Sequence, residues 1–468
     1  MDAALRYLAE HDARWFGELA AFVAIPSVST KPEHAADVRQ AAEWVAGRLR
    51  QAGDVTVEIW ETARHPAVFG RWDGAPGAPT VLVYGHMDVQ PPEPLDRWGS
   101  PPFVLTERNG RLYGRGVSDD KASMLIPILV AEAFFAADGR PPVNLRFLFE
   151  AEEEIGSPSL PGLVREHRDE LGCDVVLSAD GGMWRADRPS VTVSARGLAS
   201  MEFTVRGPRK DLHSGRHGGG LANPLHAAAA LVASLHQRDG RVAVDGFYED
   251  VEPIERALLD GLDRLPFDEA GYFDALGTEA FGEPGHGTLA RQWYRPTLEV
   301  NGLYGGYQGP GGKTVLPAEA HVKITCRLVP NQRPADILTK VRRHLEMHCP
   351  AGVVVIVDDE HAGSAAYRVS PESPSVRAAA DTLREVFGMP PDIVGMGGTV
   401  PVAMTFHEVL GVDTVFFSFS VADEDIHAPN EFYRPERFRL GLEAWARLWR
   451  RLGAWANPPR SRRHPRLG

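Results

Sequence analysis

Five side chains that commonly bind metal ions lie beside apolar segments that are typical of buried strands or helices. They are His86, Asp119, Glu154, Asp180 and His427. In an open α/β sheet the carboxyl ends of the strands lie along one edge, and ligands bind in the crevice outside that edge. We therefore expect these residues, although far apart in the sequence, to meet in one metal centre.

The chemistry of these side chains predicts which ions the centre would hold. Imidazoles and carboxylates without sulfur suit zinc, manganese or cobalt, and they are not the ligands of a purely structural zinc site. A centre with two ions needs a bridging carboxylate. Asp119 is the predicted bridge, because it precedes an apolar helix whose backbone N–H groups can stabilise an anion. His86 and Asp180 would complete one site, while Glu154 would complete the other with His427.

Two more acids are predicted to act without binding metal. Glu153 is adjacent to a predicted ligand and can remain free to accept and return a proton, as a general base does. Asp88 follows His86 by two residues and can orient that imidazole through its other nitrogen. The three acids at residues 152–154 leave the register ambiguous, and we assign it by counting back from residues 155–157 (IGS).

Structural alternatives exist for parts of this pattern. Asp180 begins an Asp-Gly-Gly segment, which is also an ordinary turn. The acidic run at residues 152–154 has the composition of a solvated loop. Both segments directly follow apolar strands, so we favour the functional interpretation for each of them.

The overall composition excludes several classes of partner. The formal net charge of −13 argues against nucleic acid or an anionic membrane as the main partner. Three cysteines without CxxC spacing are typical of a protein in the reducing cytoplasm. The first residues lack the apolar core of a signal peptide, and no apolar stretch reaches membrane-spanning length. We expect a cytoplasmic enzyme with a small-molecule substrate.

The length of 468 residues predicts two domains. Residues 1–195 and 363–468 alternate between buried strands and helices, which predicts an α/β domain with a mostly parallel sheet flanked by helices. Residues 196–362 contain half-exposed strands and predict a smaller, inserted α+β domain. A single N-terminal helix is expected over residues 2–24, and the basic tail at residues 458–466 is expected to be disordered.

Six motifs together resemble the M20 family of metallopeptidases, within it the branch of cytosolic non-specific dipeptidases and carnosinases. They occur in the family's order and span nearly the whole chain. The motifs are residues 85–91 (GHMDVQP), 114–121 (GRGVSDDK), 153–157 (EEIGS), 211–215 (DLHSG), 327–331 (RLVPN) and 425–431 (DIHAPNE). Any one of them alone is weak, but the set is highly specific.

The resemblance implies a role for each matching residue. The metal ligands would be His86, Asp119, Glu154, Asp180 and His427, with Glu153 as general base and Asp88 as the acid that orients an imidazole. His213 would reach the partner subunit's active site and stabilise the oxyanion. Arg327 would bind a substrate carboxylate, and Gly398 with Thr399 would form a substrate-contacting turn. Threonine stands at 399 where serine is usual, and the peptide bond after Asp119 is expected to be cis.

The resulting hypothesis is a hydrolase with two divalent ions, zinc before manganese or cobalt, that cleaves an amide bond in small carboxylate-bearing substrates. Dipeptides are the expected substrates. The inserted domain would act as a lid and as the surface of a homodimer. Deacylation of N-acyl amino acids and a carboxypeptidase reaction remain alternatives. A non-catalytic metal-binding scaffold is disfavoured, because such a protein has no use for the free acid of Glu153.

Overall fold

A computed structural model describes residues 2–455 of the chain. The chain forms two compact units, and the first contains residues 2–193, Val369–Val394 and residues 405–455. The second unit contains Ser194–Arg368 together with Gly395–Met404. This last short segment differs from the expected boundary, which placed residues 363–468 in the first domain. The basic tail at residues 458–466 lies outside the described residues.

A six-stranded sheet forms the centre of the first unit. In spatial order its strands are Thr56–Trp60, Ala67–Trp72, Asn144–Glu150, Thr80–His86, Val175–Ser178 and Thr414–Phe416. The last four are parallel to one another, whereas the first two pair antiparallel. Strands covered on both faces are continuously apolar, and accordingly Val81, Leu82, Val83 and Tyr84 are fully buried. The prediction of a mostly parallel sheet flanked by helices is confirmed.

Helices cover this sheet. They are Ala3–Glu10, Asp12–Val23, Ala35–Ala52, Ala122–Asp138, Leu160–Glu166, Pro374–Phe387 and Pro435–Gly453. The helix Pro401–Leu410 begins in the segment that belongs to the second unit and ends in the first. Ala122–Asp138 is apolar on all sides and buried over its first 13 residues, as expected of a helix in the interior. The expectation of a single helix at the N-terminus is wrong, because the first helix ends before His11 and a second begins after it. The His11 ring is bonded to the Tyr7 carbonyl, and the His11 carbonyl accepts from the next helix.

Short elements connect the main ones. They are the helical turns Pro32–His34, Leu95–Arg97, Val117–Lys121 and Glu153–Ile155, and the strands Thr106–Arg108, Arg111–Tyr113, Ser190–Ala195, Tyr367–Arg368, Asp392–Met396 and Phe432–Tyr433. Two of these turns carry residues predicted for the metal centre. The strand Phe432–Tyr433 pairs antiparallel with Arg111–Tyr113, which brings the chain after His427 next to the segment before Asp119.

An antiparallel four-stranded sheet forms the second unit. Its strands, in spatial order, are Thr297–Gly305, Glu319–Leu328, Gly197–Arg206 and Val354–Ser364. Burial alternates strictly along Glu319–Leu328, since one face of the sheet packs on the core. The remaining elements are the helices Ser214–His217, Pro224–Ser234, Arg256–Leu262, Glu269–Leu276, Thr288–Tyr294 and Pro334–His348, and the paired strands Leu212–His213 and Val315–Leu316.

The core of the second unit lies between this sheet and two helices. Met201 and Phe203 from the sheet join Leu231 and Val341 from the helices in one buried apolar cluster. The second unit therefore has the α+β arrangement that the half-exposed strands predicted. Within residues 2–455, every helix is too short or too polar to cross a lipid bilayer.

Candidate metal centre

The sheet edge of the first unit brings two groups of potential ligands together. His86 is the last residue of a parallel strand, and Asp180 follows the neighbouring one. The ligand atoms of His86, Asp119 and Asp180 all lie within 4.8 Å of one another, and so do those of Asp119, Glu154 and His427. Asp119 belongs to both groups, which is the position predicted for a bridging carboxylate.

The two oxygens of Asp119 face different imidazoles. Its Oδ1 lies 2.9 Å from Nε2 of His86, and its Oδ2 lies 3.0 Å from Nε2 of His427. Nε2 of His427 is also 3.1 Å from Oε2 of Glu154. His86 is fully buried, whereas 52% of the His427 side chain is exposed. His86 therefore lies inside the protein, whereas His427 is open to solvent.

The charges of the centre are poorly balanced by the protein itself. Burial raises the pKa of Asp180 to about 6, and the nearby charges of Asp119 and Glu154 add to the effect against His86. Hydrogen bonds to Asp119 and Glu154 raise the pKa of His427 to about 10. Three carboxylates concentrated around two imidazoles create a site that favours cations. The donor set, with nitrogen and oxygen only, fits two divalent ions of the zinc, manganese or cobalt type.

Glu153 lies next to this centre without joining either group of ligands. Burial raises the pKa of its carboxyl well above the usual value, opposed by His86 and reinforced by Asp180. Within residues 2–455 its carboxylate has no hydrogen-bond partner. A carboxyl group with a raised pKa and free oxygens is suited to proton transfer.

Glu152, the first acid of the run at residues 152–154, has a structural role. Its side chain is buried, and Oε1 accepts hydrogen bonds from Thr62 Oγ1 and the His65 backbone, while Oε2 accepts one from Ser159 N. Both oxygens are thus committed away from the centre. The geometry agrees with the register obtained by counting back from residues 155–157.

Asp88 contacts His86 mainly through its backbone carbonyl, and its carboxylate binds other backbone groups. Nδ1 of His86 lies 3.1 Å from the Asp88 carbonyl oxygen and 3.5 Å from its Oδ1. The carboxylate oxygens accept hydrogen bonds from the backbone of Glu153 and Glu154, at 3.2 and 3.1 Å. Asp88 therefore links the predicted general base and two predicted ligands in one rigid unit.

The predicted substrate residues belong to the second unit. Nη1 of Arg327 donates a hydrogen bond to Oγ1 of Thr399 at 2.8 Å, so these two residues are brought together. The carbonyl of Gly398 accepts from the backbone of Arg196 at 2.9 Å. His213 is exposed at the end of the strand Leu212–His213, where it pairs with Val315.

The model of peptidase family M20/M25/M40 matches residues 82–451 of the chain. This chain belongs to that family. The match covers every residue predicted for the metal centre, and the expected cis peptide between Asp119 and Asp120 is present. The chain is accordingly a peptidase, and its donor groups indicate that it uses divalent metal ions.

Several M20 relatives are similar over most of their length. Human beta-Ala-His dipeptidase is 32% identical over 78% of this chain and 73% of its own. Cys-Gly metallodipeptidase dug1 of Schizosaccharomyces pombe is 30% identical over 90% of this chain and 92% of its own. Among solved structures, human carnosine dipeptidase 1 is 28% identical, with a TM-score of 0.79 over 96% of this chain and 98% of that one.

A carboxypeptidase is also among the similar structures. The M20 family metallo-carboxypeptidase Sso-CP2 from Sulfolobus solfataricus is 27% identical, with a TM-score of 0.81 over 94% of this chain and 99% of its own. The scaffold is thus shared by relatives whose names describe different peptidase reactions.

Sequence reasoning missed Glu431, which fixes the segment around Asp119. Its buried Oε1 accepts hydrogen bonds from the backbone of Ser118 and Asp119 at 2.9 and 3.1 Å. Its Oε2 accepts from the backbone of Gly116 and from Nη1 of Arg115, both at 2.8 Å. The backbone N–H groups before the helix therefore bind Glu431 and not the side chain of Asp119. Only the presence of Glu431 in the motif at residues 425–431 could have indicated it.

Two other contacts at the M20 centre were also missed, although Gln90 and Lys121 lie within the motifs at residues 85–91 and 114–121. Nε2 of Gln90 donates to Oε2 of Glu154 at 2.8 Å, which holds that carboxylate. The buried ammonium of Lys121 donates to the carbonyls of Phe22 and Ile25 at 3.0 and 2.7 Å. These bonds fasten the segment after Asp119 to the end of an N-terminal helix.

Proposed function

We propose that this M20 peptidase hydrolyses dipeptides with a free carboxylate, using two divalent metal ions. The observation that carries the proposal is the position of Asp119, shared by two groups of ligands with Glu153 free beside them. The names of the dipeptidase relatives supply the substrate class. The first unit would be the catalytic domain, and the second would be the lid.

One ion would be held by His86, Asp119 and Asp180, and the other by Asp119, Glu154 and His427. When bound, a pair of such ions polarises the scissile carbonyl and activates water as a nucleophile. Zinc is the first expectation, with manganese or cobalt as alternatives. Metal analysis of the purified protein distinguishes these ions and counts them, and a ratio of one ion per chain would contradict the shared role of Asp119.

Glu153 would act as the general base. Its carboxylate takes a proton from the attacking water and later gives it to the nitrogen of the leaving amine. Asp88 supports this role, because its carboxylate fixes the backbone of Glu153.

Arg327 would bind the carboxylate of the substrate. A planar guanidinium offers two parallel donors to a carboxylate, and Thr399 already accepts from Nη1 of Arg327. Gly398 and Thr399 would form the turn that contacts the substrate. Thr399 has a methyl group that the usual serine lacks, and this group would narrow the space for the substrate's side chain.

We also propose a homodimer formed through the second unit. The edge strand Thr297–Gly305 exposes Leu303 and Tyr304, and Tyr307 follows it with similar exposure. Apolar side chains on an edge strand favour pairing with another chain. His213, also exposed, would then reach the partner's active site and stabilise the oxyanion. The three free cysteines fit the proposed cytoplasmic location.

Mixing two inactive variants tests the role of His213 across the dimer. We expect Glu153→Ala and His213→Ala each to be inactive alone. After subunit exchange, mixed dimers contain one site with both residues intact, so activity should return to about a quarter of the wild-type value under statistical exchange. Native mass spectrometry verifies the exchange. No recovery in proven mixed dimers would contradict the proposal.

A substrate panel tests the reaction itself. Alanyl-glycine, beta-alanyl-histidine and cysteinyl-glycine represent dipeptides. Longer peptides represent the carboxypeptidase alternative, and acetylated amino acids represent the deacylase alternative. We expect kcat/KM to be highest for dipeptides. The likeness to Sso-CP2 makes carboxypeptidase activity the second candidate, and faster release of C-terminal residues from longer peptides would favour it.

A further inference from the structure

Arg196 donates hydrogen bonds to two carbonyls of the glycine-rich turn at residues 397–399 of the second unit. Within residues 2–455, no other side chain donates to these carbonyls. Its backbone N–H donates to the carbonyl of Gly398 at 2.9 Å, and its Nε donates to the carbonyl of Gly397 at 3.0 Å. Nη1 adds a longer contact of 3.4 Å to the carbonyl of Arg295. One half-buried residue therefore holds two successive carbonyls of the turn.

The turn depends on such contacts because it has few of its own. Two adjacent glycines provide no side chain to anchor it, and glycine has the largest conformational freedom to lose. A Cβ atom at Gly397 would lie 3.1 Å from the Gln292 carbonyl and 3.2 Å from Nη2 of Arg196. The backbone of the turn is thus packed directly against the guanidinium.

The turn leads directly to the residue that contacts Arg327. Thr399 follows Gly398, and its hydroxyl accepts from Nη1 of Arg327 at 2.8 Å. The backbone of the turn thus connects the hydrogen bonds of Arg196 to the hydrogen bond of Arg327. Movement of the turn would move the acceptor and release the guanidinium of Arg327 to other rotamers.

The charges around Arg196 are consistent with an anion at this place. Burial and the like charge of Arg327 lower the pKa of Arg196 to about 10, with Glu299 opposing the shift. The guanidinium of Arg196 therefore remains cationic at neutral pH. Two cations near each other repel, and a bound carboxylate relieves that repulsion.

We propose that Arg196 is a positioning residue, which fixes the turn at residues 397–399 so that Thr399 holds Arg327 ready for the substrate carboxylate. The inference rests on the proposed dipeptidase function. Arg196 would act through Arg327 and would not touch the substrate. A role confined to folding of the second unit is the alternative.

A double-mutant cycle on the metal-loaded, full-length enzyme separates these roles. We expect Arg196→Met to raise KM for alanyl-glycine about tenfold with kcat little changed, since a charge-assisted hydrogen bond is lost. KM for alanyl-glycinamide, which lacks the carboxylate, should stay constant. In an Arg327→Met background the same substitution should change KM for alanyl-glycine by less than about twofold.

An equal rise in KM in both Arg327 backgrounds would overturn the proposal. An equal rise in KM for the dipeptide and its amide would overturn it too. Arg206→Met is the matched control, because Arg206 ends the strand that begins directly after Arg196 and forms an exposed ion pair with Glu319. If Arg196→Met does not fold, Arg196→Lys replaces it in the cycle. Its non-additivity with Arg327→Met supports the proposal, and additivity refutes it.

A binding measurement reads the cycle without turnover. The dissociation constant of alanyl-glycine, measured by calorimetry on Glu153→Gln protein, should rise about tenfold with Arg196→Met only when Arg327 is present. A wild type that hydrolyses no dipeptide would refute the proposed function. An active wild type with additive variants would refute only the role of Arg196.

Discussion

The metal centre of the first unit and the Arg327 region of the second differ in how many contacts hold their functional groups. Around Asp119, buried Glu431 binds the backbone at three positions. Within residues 2–455, Arg327 has one side-chain hydrogen-bond partner, Thr399, on a turn that contains two glycines. The first region is restrained from several directions, and the second through a single chain of contacts.

This difference predicts how each region responds to mutation. In a heavily restrained site, removal of a reacting group leaves the remaining geometry in place, so chemistry is lost while metal binding persists. In a lightly restrained site, loss of one hydrogen bond changes position and affinity together. The predictions below test this contrast, beginning with the largest expected effect.

Glu153→Gln should lower kcat about 10²–10⁴-fold, because the amide cannot accept the proton of water. The metal content should remain unchanged, since Glu153 belongs to neither group of ligands. Metal analysis by mass spectrometry and steady-state kinetics on the same preparation measure both quantities. The control is Glu166→Gln, an exposed acid in the same unit. Residual activity near the wild-type level would remove Glu153 as the base.

Glu431→Gln should weaken metal binding about 10–100-fold, as losses of groups that orient ligands commonly do. The amide presents only one acceptor oxygen, so part of the backbone around Asp119 loses its partner. Competition with a chromophoric chelator measures the zinc dissociation constant. The exposed Glu436→Gln serves as control. Unchanged zinc affinity in a folded variant would show that the other contacts alone hold Asp119.

The contrast also explains which features could be predicted from the sequence. His86 and Asp180 follow parallel strands, so one topological rule places both at the same edge of the sheet. Glu431 escaped prediction because it binds backbone N–H groups that lie between 312 and 315 positions earlier in the chain. Backbone donors carry no side-chain pattern, and a contact of this range has no periodicity.

Local and long-range structure limited the fold prediction in different ways. The apolar spacing of the N-terminal helix is continuous, but the bonds of His11 divide it into two helices. The segment Gly395–Met404 lies between stretches of the first unit in sequence and yet packs with the second. The glycines in these ten residues indicate a turn but not the unit to which it belongs, so only tertiary contacts reveal where Thr399 belongs.

The smallest predicted effect concerns Thr399 itself. Thr399→Val keeps the shape of the side chain but removes the acceptor for Nη1 of Arg327. We expect KM for alanyl-glycine to rise about three- to tenfold with kcat nearly constant, the range for one lost hydrogen bond. Thr339→Val, which removes an exposed hydroxyl bonded to the Ala335 carbonyl in the same unit, is the control. A fall in kcat as large as that of Glu153→Gln would mean that the Arg327 region takes part in the chemical step, and the contrast between the two regions would then fail.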